Sequence, residues 1–169
     1  VALGALAVCH IVYAFILTAQ NRSARGANRY EVTAKPEKVE WASQNMLVLG
    51  IIVLLGLALH LFNFWYNMMF AELVGMRTVL EPTDGFGLIC ATFQTKVYVI
   101  LYVIWIVALW YHLSHGFWSA MQTIGINGKV WFNRWKVIGT VYVTLLMLAF
   151  LVVVLVFAFG CAPSLLCAA

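Results

Sequence analysis

Charge is what this sequence has least of. Of its 169 residues only 9% are Asp, Glu, Lys or Arg, against 64% hydrophobic, and the mean hydropathy is +0.96. An ordinary soluble domain is about a quarter charged and about half apolar. Folded as a water-soluble globule, this chain could not find enough polar residues to cover its surface. That excludes a cytoplasmic enzyme, a nucleic-acid-binding module, a disordered tail and a secreted disulfide scaffold. The isoelectric point near 9.0 comes from ten Lys and Arg against six Asp and Glu, so their positions matter more than their sum. The composition implies an integral membrane protein of a single domain, 1–169.

The gaps between charges define the spans. Residues 1–21, 41–71, 97–128 and 137–169 contain no Asp, Glu, Lys or Arg. Each run is long enough to cross a ~30 Å hydrocarbon core at ~1.5 Å per residue. None alternates apolar with polar residues, as a barrel strand would. The expected fold is all-α, with four transmembrane helices over about 1–21, 42–71, 96–125 and 136–160. The first loop holds Arg22, Arg25, Arg29, Lys35 and Lys38, and the third holds Lys129, Arg134 and Lys136. The middle loop offers only Arg77 and Lys96, alongside Glu72, Glu81 and Asp84. By the positive-inside rule the first and third loops face the cytoplasm. Gly26 and Pro36 punctuate the first loop, and Pro82, Gly85 and Gly87 make the outer one turn-rich. Trp41, Trp65, Tyr66, Trp131 and Trp135 fall near span ends as interfacial anchors, while Tyr102, Trp105, Trp110 and Tyr111 lie deeper and are expected to pack within the bundle.

Other absences narrow the chemistry. There is no initiator Met and no basic stretch ahead of the first apolar run, so no signal peptide is read there. The start reads as a truncation, a processed end or the loss of an earlier segment. The spans carry no carboxylate, yet all four histidines, His10, His60, His112 and His115, fall inside them. Ionisable side chains at membrane depth are costly and generally serve a function. Proton relays normally include carboxylates, and zinc sites want three or four clustered ligands with Cys or carboxylate among them. Paired neutral imidazoles from facing helices suit haem iron. The plainer reading of any one of these residues is an imidazole hydrogen-bonded to a neighbouring helix. No C-x-x-C-H sequence is present, so a haem here is of the non-covalent b type.

Depth suggests the pairing. His10 lies twelve residues from Arg22 and His115 fourteen from Lys129, roughly 18 and 21 Å at a helical rise. His60 lies nineteen residues from Trp41, roughly 28 Å, at an outer level. His10 and His115 could therefore clamp one inner haem. His112 and His115 are one turn apart, about 4.5 Å along the axis, too close to ligate two haems, so only one of them is an iron ligand. Gly116 follows His115, and Gly56 precedes His60 by one turn; missing side chains there would leave room for a flat ring.

The stretches NRSARGANRYEVTAKPEKVEWASQNM (21–46), LHLFNFWYNMMFAELVG (59–75), YHLSHGFWSAMQTIG (111–125) and WFNRWK (131–136) resemble the cytochrome b membrane subunit of succinate dehydrogenase/fumarate reductase. The likeness is to the single-polypeptide, di-haem type of Bacteroidetes-like bacteria and runs to about Phe159. That family has five helices, the first four each supplying one haem-ligating His. The resemblance implies that this chain corresponds to helices two to five. It assigns His10 and His115 to the inner haem and His60 to the outer one, whose other ligand would come from a first helix not seen here. His112 then lies near a haem edge or quinone. Some members carry a Glu two residues before the fourth-helix ligand, implicated in proton movement; here that position is Leu113, which puts such a pathway in doubt.

The resemblance further implies an anchor, in the bacterial inner membrane, for a flavoprotein subunit and an iron–sulfur subunit at the cytoplasmic face. Electrons would pass between them and menaquinone through haem b, with no nucleic acid involved and a dimer of complexes left open. Arg22, Trp41 and Lys129 lie where inner-haem propionates could reach, or are ordinary interfacial anchors. Asn63 and Asn67 could contact a quinone head-group, or satisfy helix–helix hydrogen bonds. Cys9 and Cys90 read as small apolar fillers, and Cys161 and Cys167 as an outer-face disulfide or a sequence-edge feature. Two other readings stay open: the cytochrome b of a nitrate reductase or hydrogenase, and a non-redox transporter or anchor.

Overall fold

The computed structural model describes residues 2–25, 40–76, 78, 80–126 and 128–160. Arg29, Lys35, Lys38, Gly26, Pro36, Arg77, Cys161 and Cys167 lie outside the described residues. Among those described, every regular element is a helix. The chain divides into two compact units, with the boundary between Leu47 and Val48.

The first unit contains helix α1 (Ala2–Arg25) and the short helix α2 (Trp41–Gln44). The most apolar 18-residue stretch of α1 has a mean hydropathy of 2.1, and the helix is long and apolar enough to cross a membrane. Helix α3 (Met46–His60) begins here and carries the chain into the second unit.

The second unit holds the other three helices of spanning length. The first runs Met46–Val74 through α3, a π-helical segment Leu61–Phe70 and the last turn α4 (Ala71–Val74). A π-helix reaches back five residues, and the Ala71 N–H does so to the Tyr66 carbonyl. The segment is rich in rings: Phe62 stacks on Tyr66, and Tyr66 on Phe70, at 5.7 and 5.3 Å. The span ends where Gly75 adopts φ 65° and the Met76 N–H returns to the Ala71 carbonyl, a Schellman closure that a side chain at Gly75 would strain.

Helices α6 (Lys96–Ile124) and α7 (Trp131–Leu155, continued by a π-helical Val156–Gly160) form an antiparallel hairpin. Gly125 at φ 87° closes α6 in the same Schellman manner. Trp135 Nε1 then donates to the Ile126 carbonyl at 2.7 Å, tying the tight turn to α7. The rings of Phe117 and Trp110 bind the hairpin together. Phe117 fills the space over Gly139, where a Cβ would come within 2.4 Å of its Cδ1, and Trp110 Nε1 donates to Thr144 Oγ1 at 2.8 Å. Phe93, Tyr102, Ile106, Val143, Met147 and Val154 make the buried core.

The structure departs from the sequence expectation in three places, the first being that α1 runs on to Arg25 rather than 21, so Arg22 rides on the helix instead of in the loop. The last span begins at Trp131 rather than 136, so Arg134 and Lys136 ride on its first two turns instead of in a loop. The loop expected to be merely turn-rich contains a further apolar helix, α5 (Gly85–Gln94). Asp84 starts it by accepting from the Gly87 N–H at 2.8 Å, an N-cap that satisfies one of the helix's orphan donors. Cys90 and Phe93 bury its inner face, as expected of Cys90 as a filler, and Phe86 meets Phe157 edge-on. Cys9, expected in the same role, is exposed. Tyr111, expected within the bundle, is 36% exposed at its surface. Trp41 and Trp131 are exposed as the first residues of α2 and α7, whereas Trp65 and Tyr66 are exposed within the π-helical segment.

Candidate haem and quinone site

His60 closes α3 and enters a cluster of rings. Its imidazole lies 5.1 Å from Phe64, 5.5 Å from Trp105 and 6.2 Å from Tyr102, between ring centroids. Its Nδ1 is buried with no hydrogen-bond partner among the described residues. One turn on, Asn63 is buried at 6% exposure and its Nδ2 donates to the Tyr102 hydroxyl at 3.4 Å. This is the helix–helix role that was the alternative to a quinone contact. The sequence marked Tyr102 and Trp105 as deep residues, without any signal that they would surround His60.

Trp105 is fixed by its own contacts. Its Nε1 donates to the Val53 carbonyl at 3.0 Å, and its ring occupies the notch at Gly56, where a Cβ would fall 1.9 Å from Trp105 Cδ1. The open space expected beside Gly56 is therefore filled by the indole. The physical reason is that a missing side chain lets the nearest large ring of the facing helix pack against the backbone, and here that ring also gains a carbonyl acceptor.

Further along the same helix pair, the His112 ring faces Gly50, with Cε1 3.6 Å from where a Cβ would stand. Asn63 beside Tyr102, Gly56 beside Trp105 and Gly50 beside His112 define one antiparallel register of α6 against the preceding span. Tyr102 marks the height of His60, and thirteen residues separate it from His115, about 20 Å of helix at ~1.5 Å per residue. His60 and His115 thus stand at two different heights. His115 meets Trp118 edge-on at 4.7 Å, and Trp118 in turn carries the Lys136 ammonium 4.5 Å from its ring centroid, which Phe132 also approaches. Trp118 had no part in the sequence reading of this site. Apart from its chain neighbours and its own helical backbone, no atom of the described residues lies within 4 Å of the Cβ position at Gly116.

His10 is exposed on α1, and Arg22 and Trp41 are exposed on α1 and α2, all in the first unit. Lys129 is exposed in the turn before α7. Asn67 uses its Nδ2 within its own helix, donating to the carbonyls of Phe62 and Asn63 at 3.0 and 3.1 Å. It also lines a cleft of about 380 Å³ with Met76, Thr78, Leu80, Glu81, Leu88 and Ala91.

The donor set is imidazole. No group of three or more His, Cys, Asp or Glu that could hold a metal ion occurs among the described residues, so a zinc-type centre has no support there. A bis-imidazole haem needs one His from each of two helices. Beside His115 the side of Gly116 is open, which is the room that one such imidazole would need. At His60 the aromatic packing leaves no such opening over Gly56, and a porphyrin there requires Trp105 to move. Comparison with protein-family models, with curated proteins and with solved structures finds no match to this chain.

Proposed function

We propose that this chain is the cytochrome b membrane subunit of a succinate:quinone oxidoreductase or quinol:fumarate reductase, passing electrons between an iron–sulfur subunit and menaquinone. The observation that carries the reading is the placement of imidazoles at two heights in spans whose one carboxylate, Glu72, is exposed in a last turn, together with the resemblance of the loops at 21–46 and 111–125. In this reading the chain is a bundle equivalent to helices two to five of the five-helix family and sits in a bacterial inner membrane. Its basic first and third loops lie inside, under a flavoprotein and an iron–sulfur subunit.

His10 and His115 would hold the inner haem, and His60 the outer one. When bound, haem b supplies one-electron transfer at a potential set by its ligands and surroundings. The chain's own residues do the rest. Phe64, Tyr102 and Trp105 keep water from His60 and fix its ring plane. Trp118 orients His115 from one turn away. Arg22, Trp41 and Lys129 are the candidates for neutralising propionates. Asn67 and Glu81 line the cleft and would offer an amide and a carboxylate there to a quinone head-group and its proton; His112 would lie near a haem edge or quinone.

The closed packing at His60 favours one other reading, a non-redox anchor or transporter whose histidines are packed polar residues. Gentle purification from native membranes separates the two. The proposal expects a flavin-bearing and an iron–sulfur subunit to co-purify with the chain and to retain quinone-linked electron transfer. Isolation of the chain without either subunit, under conditions that keep other respiratory complexes intact, would count against it.

A further inference from the structure

The outward face of α7 carries a feature that electron transfer does not use. Val130, Val137, Val141, Leu145, Leu148 and Val152 are all more than half exposed. Their spacing, with Arg134 between the first two, runs in steps of three and four residues and makes one continuous stripe along the helix. The stripe is apolar for its whole length except at Arg134, near its start. From Arg134 to Val152 it extends about 27 Å, close to the thickness of a hydrocarbon core.

Arg134 is held rather than loose. Its guanidinium lies 5.2 Å from the ring centroid of Trp131, which is itself 47% exposed and packs at 5.5 Å on Trp135. Trp135 is tied to the turn through Ile126. Lys129 is exposed in that same turn. The residues from Gly85 to Gly160 contain no Asp or Glu, so the hairpin offers these two cations no carboxylate of its own. Lys136 points elsewhere, onto Trp118 and Phe132.

We infer that this face binds an anionic phospholipid, its phosphate against Arg134 and Lys129 and an acyl chain along the Val137–Val152 stripe. The chemistry argues for lipid over free phosphate or a second copy of the chain. A free anion would gain nothing from the stripe, and a second copy would bring the same cations to the same level. An aromatic collar with a fixed cation at one end of a spanning apolar face matches the arrangement of headgroup and acyl chain.

The test places the intact protein in nanodiscs of phosphatidylcholine containing a minor fraction of phosphatidylglycerol and counts retained lipids by native mass spectrometry after mild release. Wild type should retain phosphatidylglycerol over phosphatidylcholine, and added salt should weaken that preference. Arg134→Gln and Lys129→Gln should each reduce it about fivefold, the factor corresponding to about 1 kcal/mol per basic side chain near an anionic surface. Lys96→Gln, at the other end of the hairpin, should leave it unchanged. Equal retention of the two lipids by wild type would overturn the inference. So would complete displacement by inorganic phosphate, a salt-independent preference, or dimers in which the stripe is covered by a second copy. Arg134 has no part in the proposed haem sites, so a loss of preference in Arg134→Gln with the visible spectrum unchanged separates lipid binding from the electron-transfer reading, in which Lys129 is also a candidate.

Discussion

At the residue scale the sharpest constraint is the notch at Gly56. A methyl group there would overlap the Trp105 ring, and because that ring is hydrogen-bonded to Val53 it has no easy retreat. Gly56→Ala should cost about 1–3 kcal/mol, the usual range for overpacking a filled site. Gly50→Ala, with only an ordinary 3.6 Å contact to His112, should be neutral or stabilise by up to about 1 kcal/mol. Thermal unfolding in one detergent compares the two, and an equal effect would mean that Trp105 moves freely. The Asn63–Tyr102 pair makes a second prediction. Tyr102→Phe leaves a buried amide short of its acceptor and should destabilise by about 1–2 kcal/mol. Asn63→Leu combined with Tyr102→Phe should recover part of that loss, so a double-mutant cycle should show clear coupling. The histidines themselves were legible in the sequence, because a titratable ring in an uncharged run stands out. Their surroundings were not. Which residue faces His60 or Gly50 depends on the register between two helices, and nothing in the local pattern of either helix records it.

At the element scale the four spans were legible because uncharged length is a strong signal, and their bounds differ from expectation by only a few residues at most ends. The exceptions have physical causes. Helix α7 starts early because Arg134 and Lys136 lay their charges over aromatic rings and so tolerate helical positions near the membrane surface. Helix α5 was missed because ten residues are too few to span and the glycines around it read as turn; Asp84, three residues before Gly87, was its available signal. The π segment was also hidden, since it differs from an α-helix only in backbone pairing. Its stability is testable through Asn67, whose amide supplies extra donors to the Phe62 and Asn63 carbonyls. Asn67→Leu should raise amide hydrogen exchange across Leu61–Phe70 by about tenfold, the equivalent of a hydrogen bond of about 1.4 kcal/mol. Unchanged exchange would mean that ring stacking through Phe62, Tyr66 and Phe70 suffices to hold the segment.

At the scale of the whole molecule, low charge content explains more than any motif. It forces the apolar runs into helices, because a bilayer leaves backbone groups no other partner unless a barrel closes. It concentrates cations at two of the three connections, and it leaves the interior with imidazoles but no carboxylates. Those facts motivate the central proposal, that His10 and His115 pair on one b-type haem and that His60 serves a second, outer one. The account predicts a b-type α-band in the reduced-minus-oxidised visible spectrum of the purified protein. Part of that band should disappear in His115→Ala and persist in His112→Ala. A wild-type protein, purified intact from membranes of haem-replete cells, with no b-type α-band would contradict the claim directly.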